Sequence, residues 1–115
     1  MKTLNEFNEF NEYQKLVIDT KIYPNDMSII YPMIGLCGEV GEVAEKIKKT
    51  IRDKNKVFDY DVNFEIIKEL GDTLWYIAAL AHDLGYELSE VAHFNAEKII
   101  HRKDTNKING EGDNR

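Results

Sequence analysis

The sequence is short of several things, and each shortage excludes a class of protein. It holds one cysteine, Cys37. No disulfide can form within the chain, and a reducing compartment is the expectation. No apolar run approaches the roughly 20 residues that a membrane-spanning helix needs, and the N-terminal stretch lacks the apolar core of a secretion signal. A cytoplasmic location is therefore expected. Basic charge is in deficit: 15 Lys and Arg against 21 Asp and Glu leave a net charge of −6. That balance argues against non-specific binding to nucleic acid or to a membrane. It leaves room for a small anionic ligand, provided a metal neutralises the ligand's charge. Only two prolines occur, Pro24 and Pro32, and no segment reads as a strand.

What is present is an ordinary globular balance, 43% hydrophobic and 31% charged, which separates the chain from disordered sequences. At 115 residues it is expected to form one domain. Its core must be small, so an oligomer that buries more surface is anticipated. The expected organisation is a single all-α domain over residues 1–103, followed by a polar tail over 104–115 rich in Gly, Asn and Asp.

Four segments carry helical periodicity. The first spans 3–20, with Phe7, Phe10, Gln14, Val17 and Ile18 near one face. Gln14 is either a tolerated amide at the stripe's edge or a ligand-facing group. Pro24-Asn25-Asp26 breaks this helix, and Tyr31-Pro32 predicts an extended residue followed by a helix start. The second helix, 33–52, has the stripe Leu36, Val40, Val43, Ile47 and Ile51. A polar connection over 53–61 follows, with Asp61 as the expected cap of the third helix. That helix runs from about Val62 to Leu84 and ends at Gly85. The fourth starts between Glu87 and Ser89 and reaches Lys103, with the inner stripe Leu88, Ala92, Asn95 and Ile99. Short connections between such segments give an all-α, four-helix bundle.

The chain is organised around Glu69 to Ala81. Leu70, Leu74, Ile77, Ala81 and Leu84 form one stripe, while Trp75, Tyr76, Ala79 and Leu80 cover most of the other faces. A helix apolar on every side is expected to be buried on every side. Glu69 and Asp72 nevertheless share one of its faces. A buried carboxylate must be paired, bound to a metal or protonated, and metal is the first expectation. On the second helix, Glu39 and Glu42 lie beside the apolar stripe. Gly38 and Gly41 interrupt the same turns at a cost of about 1 kcal/mol each against Ala, which predicts close approach of a helix or a ligand. Glu42–Lys46 and Glu45–Lys49 have the spacing of surface pairs, a reading preferred for the second.

Glu39, Glu42, Glu69 and Asp72 would be four oxygen ligands with no thiol or imidazole among them. Such a set suits Mg²⁺ or Mn²⁺ rather than zinc. Lys98, with Arg102 or Lys49, can take the remaining charge of a phosphate. Asn95 sits in an apolar face and needs partners, which are either a facing helix or an anionic ligand beside Lys98 and Arg102. His93 and His101 read as surface residues. Spacing alone thus points to a metal-dependent phosphate hydrolase.

Gly38-Glu39-Val40-Gly41-Glu42-Val43-Ala44-Glu45, followed by Glu69-Leu70-Gly71-Asp72, resembles the MazG-like group of all-α nucleotide pyrophosphohydrolases, whose signature is ExxE, a spacer and ExxD. Asn95-Ala96-Glu97-Lys98, with Arg102 after it, is similar to the N-x-x-K segment of the family's last helix. Tyr13-Gln14, Thr20 to Pro24 and the ending Gly112-Asp113-Asn114-Arg115 resemble small phage and bacterial members. The resemblance implies the all-α NTP pyrophosphatase fold and hydrolysis of a (d)NTP to (d)NMP and pyrophosphate. It implies Mg²⁺ on Glu39, Glu42, Glu69 and Asp72, with Mn²⁺ as a substitute, and Asn95 and Lys98 near the nucleotide. It also implies a homodimer or homotetramer. One carboxylate, Glu39 or Glu42, would orient the attacking water. Trp75, Tyr76, Phe10 and Gln14 are candidates for the pocket that selects the base, with plain core or dimer packing as the equal alternative for Trp75 and Tyr76. The competing class is a non-catalytic helical dimer, an adaptor or regulator whose acidic pairs are structural.

Overall fold

The computed structural model describes residues 9–110 and 112. Residues 3–8 of the first expected helix, Phe7 included, and Asp113 to Arg115 of the tail lie outside the described residues. The described chain is all-helical, with no strand among them: α1 (Phe10–Thr20), α2 (Ile30–Asp53), α3 (Tyr60–Asp83) and α4 (Leu88–Asp104), plus a single 3-10 turn at Asn25–Met27. Among the described residues no helix is long and apolar enough to cross a membrane.

α2 and α3, each 24 residues long, form a helical hairpin that dominates the packing. α2 begins earlier than expected. Tyr31 is helical rather than extended, and Pro32 sits buried in the first turn, where its missing N–H has no intrahelical acceptor to lose. The chain reverses instead at Ile29, with φ 71° and ψ −52°, and Ile30 N–H donates to Ser28 O at 2.8 Å. This is a γ-turn of the rare, strained hand, centred on a β-branched residue. Such a conformation costs about 1–3 kcal/mol and persists only where the surroundings over-determine it.

The cap of α3 is Asp59, not Asp61: its carboxylate accepts from Val62 N–H at 2.9 Å. At the other end Tyr86 N–H donates to Ala81 O and Gly85 N–H to His82 O, both at 2.9 Å. That pairing forms a Schellman cap, and Gly85 supplies the required left-handed backbone, φ 87°.

α1 caps α4 from the side. Leu88 N–H donates to Gln14 Oε1 at 3.0 Å, and Ser89 N–H to Asn11 Oδ1 at 3.0 Å. Two of the orphan donors of the α4 N-terminus are thereby satisfied. The Gln14 amide nitrogen donates to Ala78 O and Tyr86 O. Gln14 is buried and joins three segments through one side chain, so its place among apolar positions reflects a structural strut.

The core is small: Val17, Ala78, Ala79 and Leu88, with Tyr13, Trp75 and Ile77 packed against it. α1 and α4 meet α3 here, near its C-terminal half. The expectation that α3 is buried on every side does not hold, since Leu70 is 46% and Leu74 39% exposed. The inner stripe expected for α4 is likewise covered only at its start, with Leu88 buried but Asn95 and Ile99 exposed.

Candidate metal centre and aromatic cleft

Glu39 on α2 faces Glu69 and Asp72 on α3. One carboxylate oxygen from each lies within 4.8 Å of the other two. The two helices position them because α2 and α3 pack along their length and the three acids fall on the facing edges of adjacent turns. Glu39 and Glu69 are partly buried and Asp72 is exposed. Burial pushes the Glu39 carboxyl above its ordinary value, helped by a hydrogen bond shared with Glu69 and by repulsion from Asp72, Glu69 and Glu42. Glu69 is held below its ordinary value, chiefly by the hydrogen bond from Lys46. Opposite shifts on adjoining acids mean that crowded negative charge here seeks a proton or a cation.

Glu42 is exposed and lies outside this tight group, though its charge acts on Glu39. The donor set is carboxylate oxygen alone, which suits a hard divalent ion. An ion-pair partner that sequence reading did not supply reaches Glu69 from α2. Lys46 Nζ lies 3.0 Å from Glu69 Oε1 and 3.2 Å from Glu65 Oε2. Lys46 therefore turns across to α3 instead of pairing with Glu42. Glu45 pairs with Lys48 at 2.6 Å and with Lys49 at 3.9 Å, so the surface reading of Glu45–Lys49 holds in a loose form.

The acids open onto a cleft of about 380 Å³ lined by Thr20, Ile22, Tyr23, Tyr31, Trp75 and Tyr76 together with Glu39 and Asp72. The Tyr23 and Tyr31 rings stack at 4.8 Å and 18°. Trp75 and Tyr76 meet edge to face at 5.0 Å, and Trp75 Nε1–H donates to Thr20 Oγ1 at 3.0 Å. A Cβ on Gly35 would overlap the Tyr76 ring, whereas nothing lies within 4 Å of one on Gly38 or Gly41. The glycine that permits close approach is thus Gly35, one turn before the pair that sequence reasoning singled out. Trp75 and Tyr76 line the cleft, and Trp75 also packs against the core; Phe10 and Gln14 do not line it. Tyr23 and Tyr31 were missed; Tyr23 precedes a proline, a signal of extended backbone, but the same signal fails at Tyr31, which is helical.

The remaining candidates lie elsewhere. Asn95 and Lys98 line a groove with Ala81, Leu84, Tyr86, Val91 and Phe94. Ala81 follows Asp72 by about two and a half helical turns, which places it on the opposite side of α3. Asn95 and Lys98 of one chain are therefore not brought to its acidic cluster. Arg102 Nη2 donates to Gly112 O at 3.3 Å. Lys49 lines a separate hollow with Lys46, Thr50, Asp53 and Glu65. His93 is exposed and pairs with Glu97 at 3.0 Å, and His101 is exposed, in line with their surface reading.

The family described as MazG nucleotide pyrophosphohydrolase domain matches residues 32–106. The Gene 37 protein of Mycobacterium phage L5 is 44% identical over 109 residues, which cover 90% of this chain and 96% of that one. Its name states no activity. No solved structure matches the chain significantly.

Proposed function

The chain belongs to the MazG nucleotide pyrophosphohydrolase family, and from that premise we propose that it hydrolyses a nucleoside triphosphate to the monophosphate and pyrophosphate with Mg²⁺ or Mn²⁺. The observation that carries the reading is the convergence of Glu39, Glu69 and Asp72 within 4.8 Å at the mouth of an aromatic cleft. The ligands are Glu39, Glu69 and Asp72, joined by Glu42. A divalent ion held there would polarise the phosphate and lower the pKa of a bound water.

The chain's own residues do the rest. Glu39 and Glu42 are the catalytic carboxylates. Glu42, outside the tight group, is the freer of the two to orient water. Water oxygen bonds to the α-phosphorus as the α–β bridging P–O bond breaks. Pyrophosphate departs, and the water proton passes to the orienting carboxylate. The cleft takes the nucleobase, whose flat ring suits the faces of Trp75, Tyr76 and Tyr31.

Asn95 and Lys98 act on the substrate from a second copy of the chain, because their groove faces away from the acids of their own. Arg102 follows Lys98 on α4 and would bring further positive charge from the same second copy, whereas Lys49, in its separate hollow, is left outside the site. Self-association is supported by the uncovered apolar side chains Ile67, Leu70 and Leu74 on α3 and Ile34 and Val40 on α2, which a homodimer or homotetramer would bury.

The deciding experiment is a panel of canonical and modified (d)NTPs with Mg²⁺, analysed for products. Monophosphate and pyrophosphate from at least one are expected. The Lys46–Glu69 ion pair favours the second reading, a non-catalytic helical dimer with structural acids. Absence of turnover across the panel would select it.

A further inference from the structure

Asp83, at the last position of α3, is an acid that the proposed chemistry leaves unused. Its side chain is only 1% exposed, and it gathers three donors from the segment between α1 and α2. The Tyr23 hydroxyl donates to Oδ2 at 2.7 Å, the Ile29 backbone N–H donates to Oδ2 at 3.0 Å, and Lys21 Nζ lies 3.3 Å from Oδ1. Lys21 also stands over the Tyr23 ring at 4.9 Å. Ile29 is the residue in the strained γ-turn, so the carboxylate grips the backbone where it is least at ease. Tyr23 stacks on Tyr31, and both line the cleft that holds Glu39 and Asp72.

We propose that Asp83 is a positioning residue of the substrate cleft: by holding Tyr23 and the Ile29 turn it fixes the Tyr23–Tyr31 wall against which the nucleobase packs. The inference rests on the cleft being the base subsite of the proposed reaction. An extended segment with one 3-10 turn has no internal ladder to set its geometry. The buried charge supplies it, since bonds to an ionised acceptor are the stronger kind. Without that grip the strained turn relaxes, and the wall loses its fixed distance from Trp75 and Tyr76. Substrate binding then weakens, while the carboxylates on the facing edges of α2 and α3 keep their places.

Trp75, the single tryptophan, lies in the cleft and reports on it. Its emission is titrated with dAMP, dGMP, dCMP, dTMP and dUMP in EDTA, for the wild type, Asp83→Asn and Tyr23→Phe. The last keeps the ring and removes one tether. Asp59→Ala, which loses the α3 cap at the far end, serves as the purely structural control. Saturable quenching by at least one monophosphate is expected, with Kd about 5–10-fold weaker in both cleft variants and unchanged in Asp59→Ala. With Mg²⁺ and the corresponding triphosphate, KM should rise by a similar factor while kcat stays within about twofold. Equal Kd in all four proteins, or a fall in kcat alone, overturns the positioning role, as does an absence of quenching in the wild type. Turnover together with equal Kd leaves the pyrophosphohydrolase reading standing. The expected Kd pattern without turnover of any triphosphate overturns that reading and keeps the role of Asp83.

Discussion

Lys46 on α2 places its ammonium 3.0 Å from Glu69 Oε1 on α3, at the edge of three carboxylates that lie within 4.8 Å of one another. The chain's own cation thus partly offsets the charge for which a divalent ion would compete. Removing it should expose that competition. For Lys46→Gln we expect a lower thermal midpoint in EDTA than the wild type, and a larger rise on adding Mg²⁺ or Mn²⁺. Ligand linkage reaches about 2.7 kcal/mol at a hundredfold excess over Kd. Differential scanning fluorimetry across a metal series checks it. An unchanged midpoint in EDTA, with no larger metal response, would show that Lys46 carries no such load.

Gly35 sits under the Tyr76 ring with no room for a methyl group. In Gly35→Ala the ring must swing toward the cleft. Relief of the helical glycine is worth about 1 kcal/mol, against an overpacking cost of about 1–3 kcal/mol, so stability should change little or fall slightly. KM should rise about 10-fold or more, because small displacements at a positioning surface are costly. Steady-state kinetics beside a thermal melt would check both halves.

The sequence made the acids and the helices legible, because both are local. The spacing of Glu39 with Glu42 and of Glu69 with Asp72 sets their faces, although only Glu39, Glu69 and Asp72 come together, and apolar periodicity found α2, α3 and α4 to within a few residues. What stayed hidden depends on contacts between distant segments. Gln14 looked like a possible ligand group because its three backbone partners, on Ala78, Tyr86 and Leu88, lie more than sixty positions away. Gly38 and Gly41 drew notice as helix-interior glycines beside the acids, while Gly35, inside the same expected helix, is the one that lies under an aromatic ring, a contact with α3 that no local pattern shows. The all-round apolar character of α3 predicted complete burial, yet the described helices leave the Leu70–Leu74 face uncovered.

Acid should unpick the Asp83 grip in a defined range. Burial alone would raise this carboxyl, but the Ile29 N–H, the Tyr23 hydroxyl and Lys21 together hold it below its ordinary value. A depressed folded-state value stabilises the fold above the unfolded value, about 3.9, and that contribution is lost as pH falls through the lower folded value. Asp83→Asn should therefore cost about 2 kcal/mol near neutrality, with the gap to the wild type closing below about pH 4. Urea melts at stepped pH would read it, and a gap constant down to about pH 2 would contradict the assignment.

Asn95 and Lys98 face away from the acids of their own chain, so the proposed site draws them from a partner. Asp72→Asn and Lys98→Ala should each be inactive alone. Mixed after co-refolding, they should regain up to roughly a quarter of wild-type activity, since half of the resulting two-fold dimers carry one intact site. No recovery, with mixed dimers verified by tagged pull-down, would place Lys98 outside the partner's site.

The central claim is that Glu39, Glu69 and Asp72, joined by Glu42, hold a divalent ion. Calorimetric titration of Mn²⁺ into the wild type and into Asp72→Asn, with helix content matched by circular dichroism, tests it most directly. The account predicts saturable binding in the wild type, weakened at least about 100-fold in the variant, since even outer-shell partners of a metal are worth 10–100-fold. No binding in the wild type, or equal affinity in the two proteins, would contradict it.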